Sequence, residues 1–218
     1  MKRHTIGLAA AVLLLGLGRT HGAVVFSNFG PGDTYNTASG YILGTVNGYA
    51  YGDAFDIVSP DDVILQSIEL AVGLSSGPNE LDVALRADAS GLPGVVIEAF
   101  HFTGAMGLFG DSNPPLIANS VLQPTLQAGE RYWVTASVPY DPGNPNATTT
   151  AIWNRNSTGD IGPHASALGV QPWQVDDQLR GALRVSGAAV PEPATLLVWS
   201  GLGAIGAVMA YRRKRRAA

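Results

Sequence analysis

From Leu81 to Asp88 the chain alternates, with Leu81, Val83, Leu85 and Ala87 on one side and Asp82, Arg86 and Asp88 on the other. A period of two belongs to a strand with one buried face. The run from Val63 to Leu74 behaves similarly, Ile64, Ile68, Leu70, Val72 and Leu74 sharing a face. In 179–186, Leu179, Gly181, Leu183 and Val185 alternate with Arg180, Ala182, Arg184 and Ser186. Further strands are predicted over 24–29, 49–58, 95–103, 131–138 and 150–155. Turn sequences such as Ser75-Ser76-Gly77-Pro78-Asn79 and Ser90-Gly91-Leu92-Pro93-Gly94 separate them. No segment carries a convincing helical stripe. About eight short strands with Gly/Pro-rich turns predict an all-β fold, an antiparallel β-sandwich of jelly-roll-like type. Two stretches, 30–48 and 104–120, lack the pattern and read as long connections. No internal repeat is present, which argues against a solenoid.

Two apolar runs lie outside this pattern. Near the start, Lys2 and Arg3 precede Ile6–Gly18, and Thr20-His21-Gly22-Ala23 offers small residues for cleavage, the layout of a secretory signal peptide over residues 1–23. An uncleaved signal anchor is the alternative. Near the end, the 18 residues from Ala194 through Trp199 to Tyr211 contain no ionisable side chain but the Tyr211 phenol. As a helix they would span roughly 27 Å, enough to cross a bilayer. The cations Arg212, Arg213, Lys214, Arg215 and Arg216 follow at once and would stay cytoplasmic. Both runs carry their positive charge on the same side, so residues 24–187 are predicted to lie outside the cytoplasm as one domain, with 188–218 as the tail.

Val190-Pro191-Glu192-Pro193, the apolar run after it and the terminal cations together resemble the PEP-CTERM sorting signal of Gram-negative bacteria that make exopolysaccharide. The resemblance implies an exosortase in the inner membrane as processing partner, beside signal peptidase. It further implies passage through that membrane to the cell surface or the extracellular matrix. The two prolines hold the motif extended and remove two backbone donors, which suits a strand-like substrate in a protease groove. The plainer alternative is that Pro191 and Pro193 end the domain ahead of an ordinary anchor. Within the middle domain, Ser67–Leu74, Val83–Asp88 with Gly91–Gly94, and Leu126–Val134 resemble the exported choice-of-anchor domains, most nearly their R type. That second resemblance implies a β domain on an interchangeable anchor and no particular reaction.

Charge and composition narrow the chemistry. The formal net charge of −4 for the whole chain conceals a division, because residues 24–187 hold five basic against sixteen acidic residues, a net of −11. Such a domain repels nucleic acid and anionic lipid. The chain has no cysteine, which excludes disulfides, thiolate nucleophiles, Cys-ligated zinc and an N-terminal lipid on cysteine.

Catalytic constellations are thin. After signal cleavage only His101 and His164 remain, so a three-histidine metal site is excluded, and both histidines read as structural or surface residues. No Gly-x-Ser-x-Gly elbow is present. The local carboxylate pairs are Asp53/Asp56, Asp61/Asp62 and Asp176/Asp177; neighbours on a strand point to opposite faces, so the adjacent pairs read as turn formers rather than as a glycosidase pair. The turn Asp141-Pro142-Gly143-Asn144-Pro145-Asn146 offers oxygen ligands suited to calcium but lacks the spacing and terminal Glu of an EF-hand. No cofactor, metal site or catalytic residue is therefore assigned.

Trp133, Trp153 and Trp173 are the strongest binding candidates, since indole faces are platforms for sugar rings. In 131–138 the apolar face is Tyr132, Val134, Ala136 and Val138, which places Trp133 with Arg131, Thr135 and Ser137 on the other face. The competing reading puts all three tryptophans in the core. The sequence thus predicts an exported, non-enzymatic surface or matrix protein. Binding of extracellular polysaccharide is the first alternative and a glycan-active enzyme the second.

Overall fold

A computed structural model describes residues 22–44, 48–139, 149–190 and 202–203. Fifteen strands succeed one another there: β1 (Ala23–Ser27), β2 (Tyr35–Gly44), β3 (Tyr49–Asp56), β4 (Val63–Leu70), β5 (Val72–Ser76), β6 (Glu80–Asp88), β7 (Pro93–Thr103), β8 (Gly107–Leu108), β9 (Leu116–Asn119), β10 (Thr125–Leu126), β11 (Arg131–Ser137), β12 (Thr150–Asn156), β13 (Ile161–Leu168), β14 (Gln174–Leu179) and β15 (Leu183–Ala189). They form two sheets. The smaller runs β1-β15-β4-β10, with β9 also on β4; the larger runs β7-β6-β11-β3-β2-β12-β5-β8, with β13 on β3 and β14 on β13. All pairings are antiparallel except β5 with β8. The expected all-β sandwich is what the structure shows. The predicted signal peptide up to His21 and the segment from Pro191 onward, apart from the helical pair Leu202-Gly203, lie outside the described residues.

One core joins the sheets. Leu65, Ile68, Leu70, Leu183 and Val185 from the smaller sheet meet Leu81, Val83, Leu85, Val134 and Trp153 from the larger, all at most 1% exposed. Leu81, Val83 and Leu85 are the β6 positions that turn inward, as the alternation predicts. Burial of long apolar side chains is the main stabilising term in a domain without covalent cross-links.

Two predicted strands prove to be corners. The run 63–74 is divided at Ala71, where the chain leaves the smaller sheet after Leu70 and joins the larger at Val72. Ala71 donates its N–H to the Ala182 carbonyl and accepts from Asn154 N, so the switch leaves no backbone group stranded. The face assignment also fails at its start. Val63 and Leu65 are buried and Ile64 is not, because the β4–β15 register slips between Ser186 and Gly187 and a bulge reverses the parity. The run 179–186 is divided in the same way at Arg180–Ala182, where Gly181 lies so close to Trp153 that a Cβ would fall 2.5 Å from the indole.

Strands also occupy stretches without pattern. β2, β8 and β9 fall within the two predicted connections. β2 sits in the middle of the larger sheet, although Tyr35-Asn36-Thr37-Ala38-Ser39-Gly40 gives little apolar signal, and Gly40 is needed because a Cβ there would fall 2.4 Å from the Trp153 carbonyl oxygen.

Candidate functional site

Three places gather polar chemistry: a buried network around Asp53, a trough on the outer face of the larger sheet, and the end of β15. The buried network begins with His164 on β13, whose Nδ1 lies 2.7 Å from Asp53 Oδ1 on β3; the two side chains are 3% and 0% exposed. Gly181 N–H donates to the other Asp53 oxygen at 2.8 Å. Tyr41 stacks on the imidazole at 3.9 Å between centroids, and its hydroxyl donates to the Leu179 carbonyl. His164 is thus paired with Asp53, 111 residues away, and not with Asp160, its neighbour in sequence. Asp160 instead holds Arg180 at 2.7 Å and accepts from Asn28.

The pair is almost wholly buried, and among the described residues His164 Nε2 has no hydrogen-bond partner. Its visible work is to tie β3, β13 and the Gly181 corner together. Burial, above all, pushes the Asp53 carboxyl upward from its ordinary 3.8, against the His164 hydrogen bond and charge, the Gly181 N–H and Arg180. A carboxyl raised on folding contributes stability that is complete below its unfolded pKa and is lost as pH rises through its folded pKa. Asp53→Asn, which can accept from Gly181 and donate to His164, removes that titration. The stability of the natural protein relative to the variant is therefore expected to fall as pH rises above about 4. Urea denaturation of both proteins across pH checks it, and a pH-independent difference would contradict it.

The remaining acidic candidates do not converge. Asp53 and Asp56 lie on opposite faces of β3, and exposed Asp56 pairs with Arg131 at 2.8 Å. Asp62 caps the Ala128 N–H, and Asp176 and Asp177 are exposed on β14. Among the described residues no group of three metal-ligating side chains comes together, and the Asp141–Asn146 turn lies outside them. His101 is exposed, as a surface histidine, and bonds Asp82 at 2.8 Å.

Two of the three tryptophans are corrected by their burial. Trp133 and Trp153 are both 0% exposed, so neither presents an indole face to a ligand. Trp153 belongs to the main core and donates to the Ala182 carbonyl. Trp133 does point away from that core, but Ala54, Ala165, Trp173 and Val175 cover it as a second small core, and its Nε1 donates to Asp88. Trp173 alone is partly exposed. It borders a cavity of about 370 Å³ with Arg86, Thr135, Ser137 and Gln171. A second cavity of about 290 Å³ adjoins it through Arg86, Thr135 and Ser137. A larger depression of about 830 Å³ lies elsewhere, beside the Asp56–Arg131 pair, and its opposite charges satisfy each other.

At the third place, Ala189 is still in register with Val63, and Val190 donates its N–H to the Asp62 carbonyl at 2.8 Å. On the other side of β15, Ala23 is paired with Gly187. The start and the end of the domain therefore leave it side by side. Val190 is the last described residue before the motif; Pro191, Glu192, Pro193, Ala194, Trp199, Tyr211 and the cations Arg212 to Arg216 lie outside the described residues. Among those described, no helix is long and apolar enough to cross a membrane.

Residues 189–216 match the PEP-CTERM protein-sorting motif family. No curated protein matches the chain. Among solved structures, the cysteine protease and lectin-like domains of Cwp84, a surface layer associated protein of Clostridium difficile, share 10% identity over 65% of this chain with a TM-score of 0.42. The chain spans about a third, 32%, of that structure's length.

Proposed function

We propose, from the premise that this chain is a PEP-CTERM protein, that it is a non-enzymatic β-sandwich delivered by exosortase processing to the outer surface or polysaccharide matrix of a Gram-negative bacterium. The sorting signal itself implies export and membrane-associated sorting to the cell surface. The observation that carries the reading is the continuity of that signal with the fold. The matched segment begins on Ala189, the last residue of β15, and only three residues separate hydrogen-bonded Val190 from Ala194.

Three extended residues reach at most about 11 Å. With the tail in the bilayer, the pole of the sandwich bearing Val190 and Ala23 stands against the membrane. The motif is then offered to a membrane enzyme at a fixed height. The same pole receives the end of the signal peptide, so both processing steps take place at one face of the domain. β1 cannot pair with β15 until the last strand has been exported, and the sandwich therefore closes only when the chain is fully across.

Antibody against the domain, applied to intact cells that contain an exosortase, is expected to label cells making the full chain. Labelling should vanish when residues 191–218 are deleted. Equal labelling of both would show that delivery does not use the tail.

A further inference from the structure

The trough on the outer face of the larger sheet is required neither by sorting nor by the core. Its floor is low because outward residues lining it are small: Ala50 and Ala167, in register with each other, in the first cavity, and Ala84, in register with Thr135, in the second. Alanine and glycine are poor strand residues, and an open sheet face ordinarily carries larger ones.

Arg86 stands where the two cavities join. It donates from Nε to the Thr135 hydroxyl and from Nη1 to the Gly94 carbonyl, and its guanidinium lies 5.9 Å from the centre of the Trp173 ring. Arg131, Arg180 and Arg184 each have a carboxylate partner, whereas Arg86 has none among the described residues. The carboxylate of Asp82 in the adjoining cavity is taken by His101. Burial pushes the Arg86 guanidinium below its ordinary value, as expected of a cation with no counter-charge. The domain's net −11 repels anions at long range, and this is a local exception to it: a cation without a counter-charge beside an aromatic ring, able to pair with one carboxylate at short range.

We propose that this trough binds an acidic glycan, one sugar ring resting against the Trp173 indole and its carboxylate paired with the Arg86 guanidinium. The hydroxyls of Thr135 and Ser137 and the amide of Gln171 line the path such a chain would take. A peptide fits less well, because the trough lies across paired strands and offers no free edge for a strand to join. The inference is independent of the sorting reading, since a chain that is never processed carries the same trough.

The test is calorimetric titration of the full chain in detergent micelles with oligogalacturonate. The comparators are the same oligomer with its carboxylates reduced to alcohols, and polyglutamate. Oligogalacturonate is expected to bind, with affinity falling about tenfold or more on carboxyl reduction, in Arg86→Gln and in Trp173→Ala. Ala167→Trp, which fills the trough while keeping Arg86 and Trp173, is expected to abolish binding with the melting temperature unchanged. Failure of oligogalacturonate to bind, equal affinity for the reduced oligomer or for polyglutamate, or unchanged binding by folded Ala167→Trp would each overturn the proposal.

Discussion

Trp153→Ala is expected to destabilise the domain by about 3–5 kcal/mol, a large share of the roughly 5–15 kcal/mol by which such domains are stable. The indole is wholly buried on β12 and sits at the meeting point of both strand switches. Gly181 packs directly on its ring, and its Nε1 donates to the Ala182 carbonyl at 3.1 Å. That carbonyl also accepts from Ala71 N–H, so it stays satisfied in the variant. The loss is thus mainly one of cavity formation between two corners whose backbones are already fixed by hydrogen bonds. With no cysteine in the chain, no disulfide adds to the stability from which this loss is subtracted. Urea denaturation followed by fluorescence of the remaining tryptophans measures it. A loss under about 1 kcal/mol would show that the corner collapses around the missing ring.

Replacing Pro191, Glu192 and Pro193 together by alanine is expected to stop tail removal entirely while leaving the protein in the membrane. Insertion depends on the apolarity of Ala194–Tyr211 and on the cations behind it, none of which is changed. Recognition is expected to depend on the motif, whose two prolines favour an extended chain and lack N–H groups. The folded domain does not share this dependence, because among the described residues its backbone hydrogen bonds at this end close with Val190, ahead of the motif. The variant is therefore expected to fold, to retain its tail and to fractionate with the membrane. Release at the natural rate would assign recognition to something other than the motif.

The parts of the molecule legible in its sequence are those written locally. Leu81, Val83 and Leu85 alternate because one sheet face meets the core, and the sorting signal is read as a linear string. What escaped was set by distant chain. The alternation in β11 gives the face of Trp133, but that face is covered by Ala165 of β13 and by Trp173 and Val175 beyond it. The pairing of His164 with Asp53 joins strands 111 residues apart, and no spacing announces it. β2 is not legible in the sequence because its glycine and serine give no alternation, although Gly40 is present to let Trp153 approach. Arg86, read as an outward-facing strand cation, became informative only once every neighbouring carboxylate had a partner.

The most direct measurement of the central claim is the intact mass of the protein recovered from the surface of cells that possess an exosortase. Processing predicts a product without Ala194–Tyr211 and the basic residues that follow, its charge moved from the −4 of the full chain towards the −11 of residues 24–187. Recovery of the chain with Arg216 still attached would contradict the account and reduce the tail to a plain anchor.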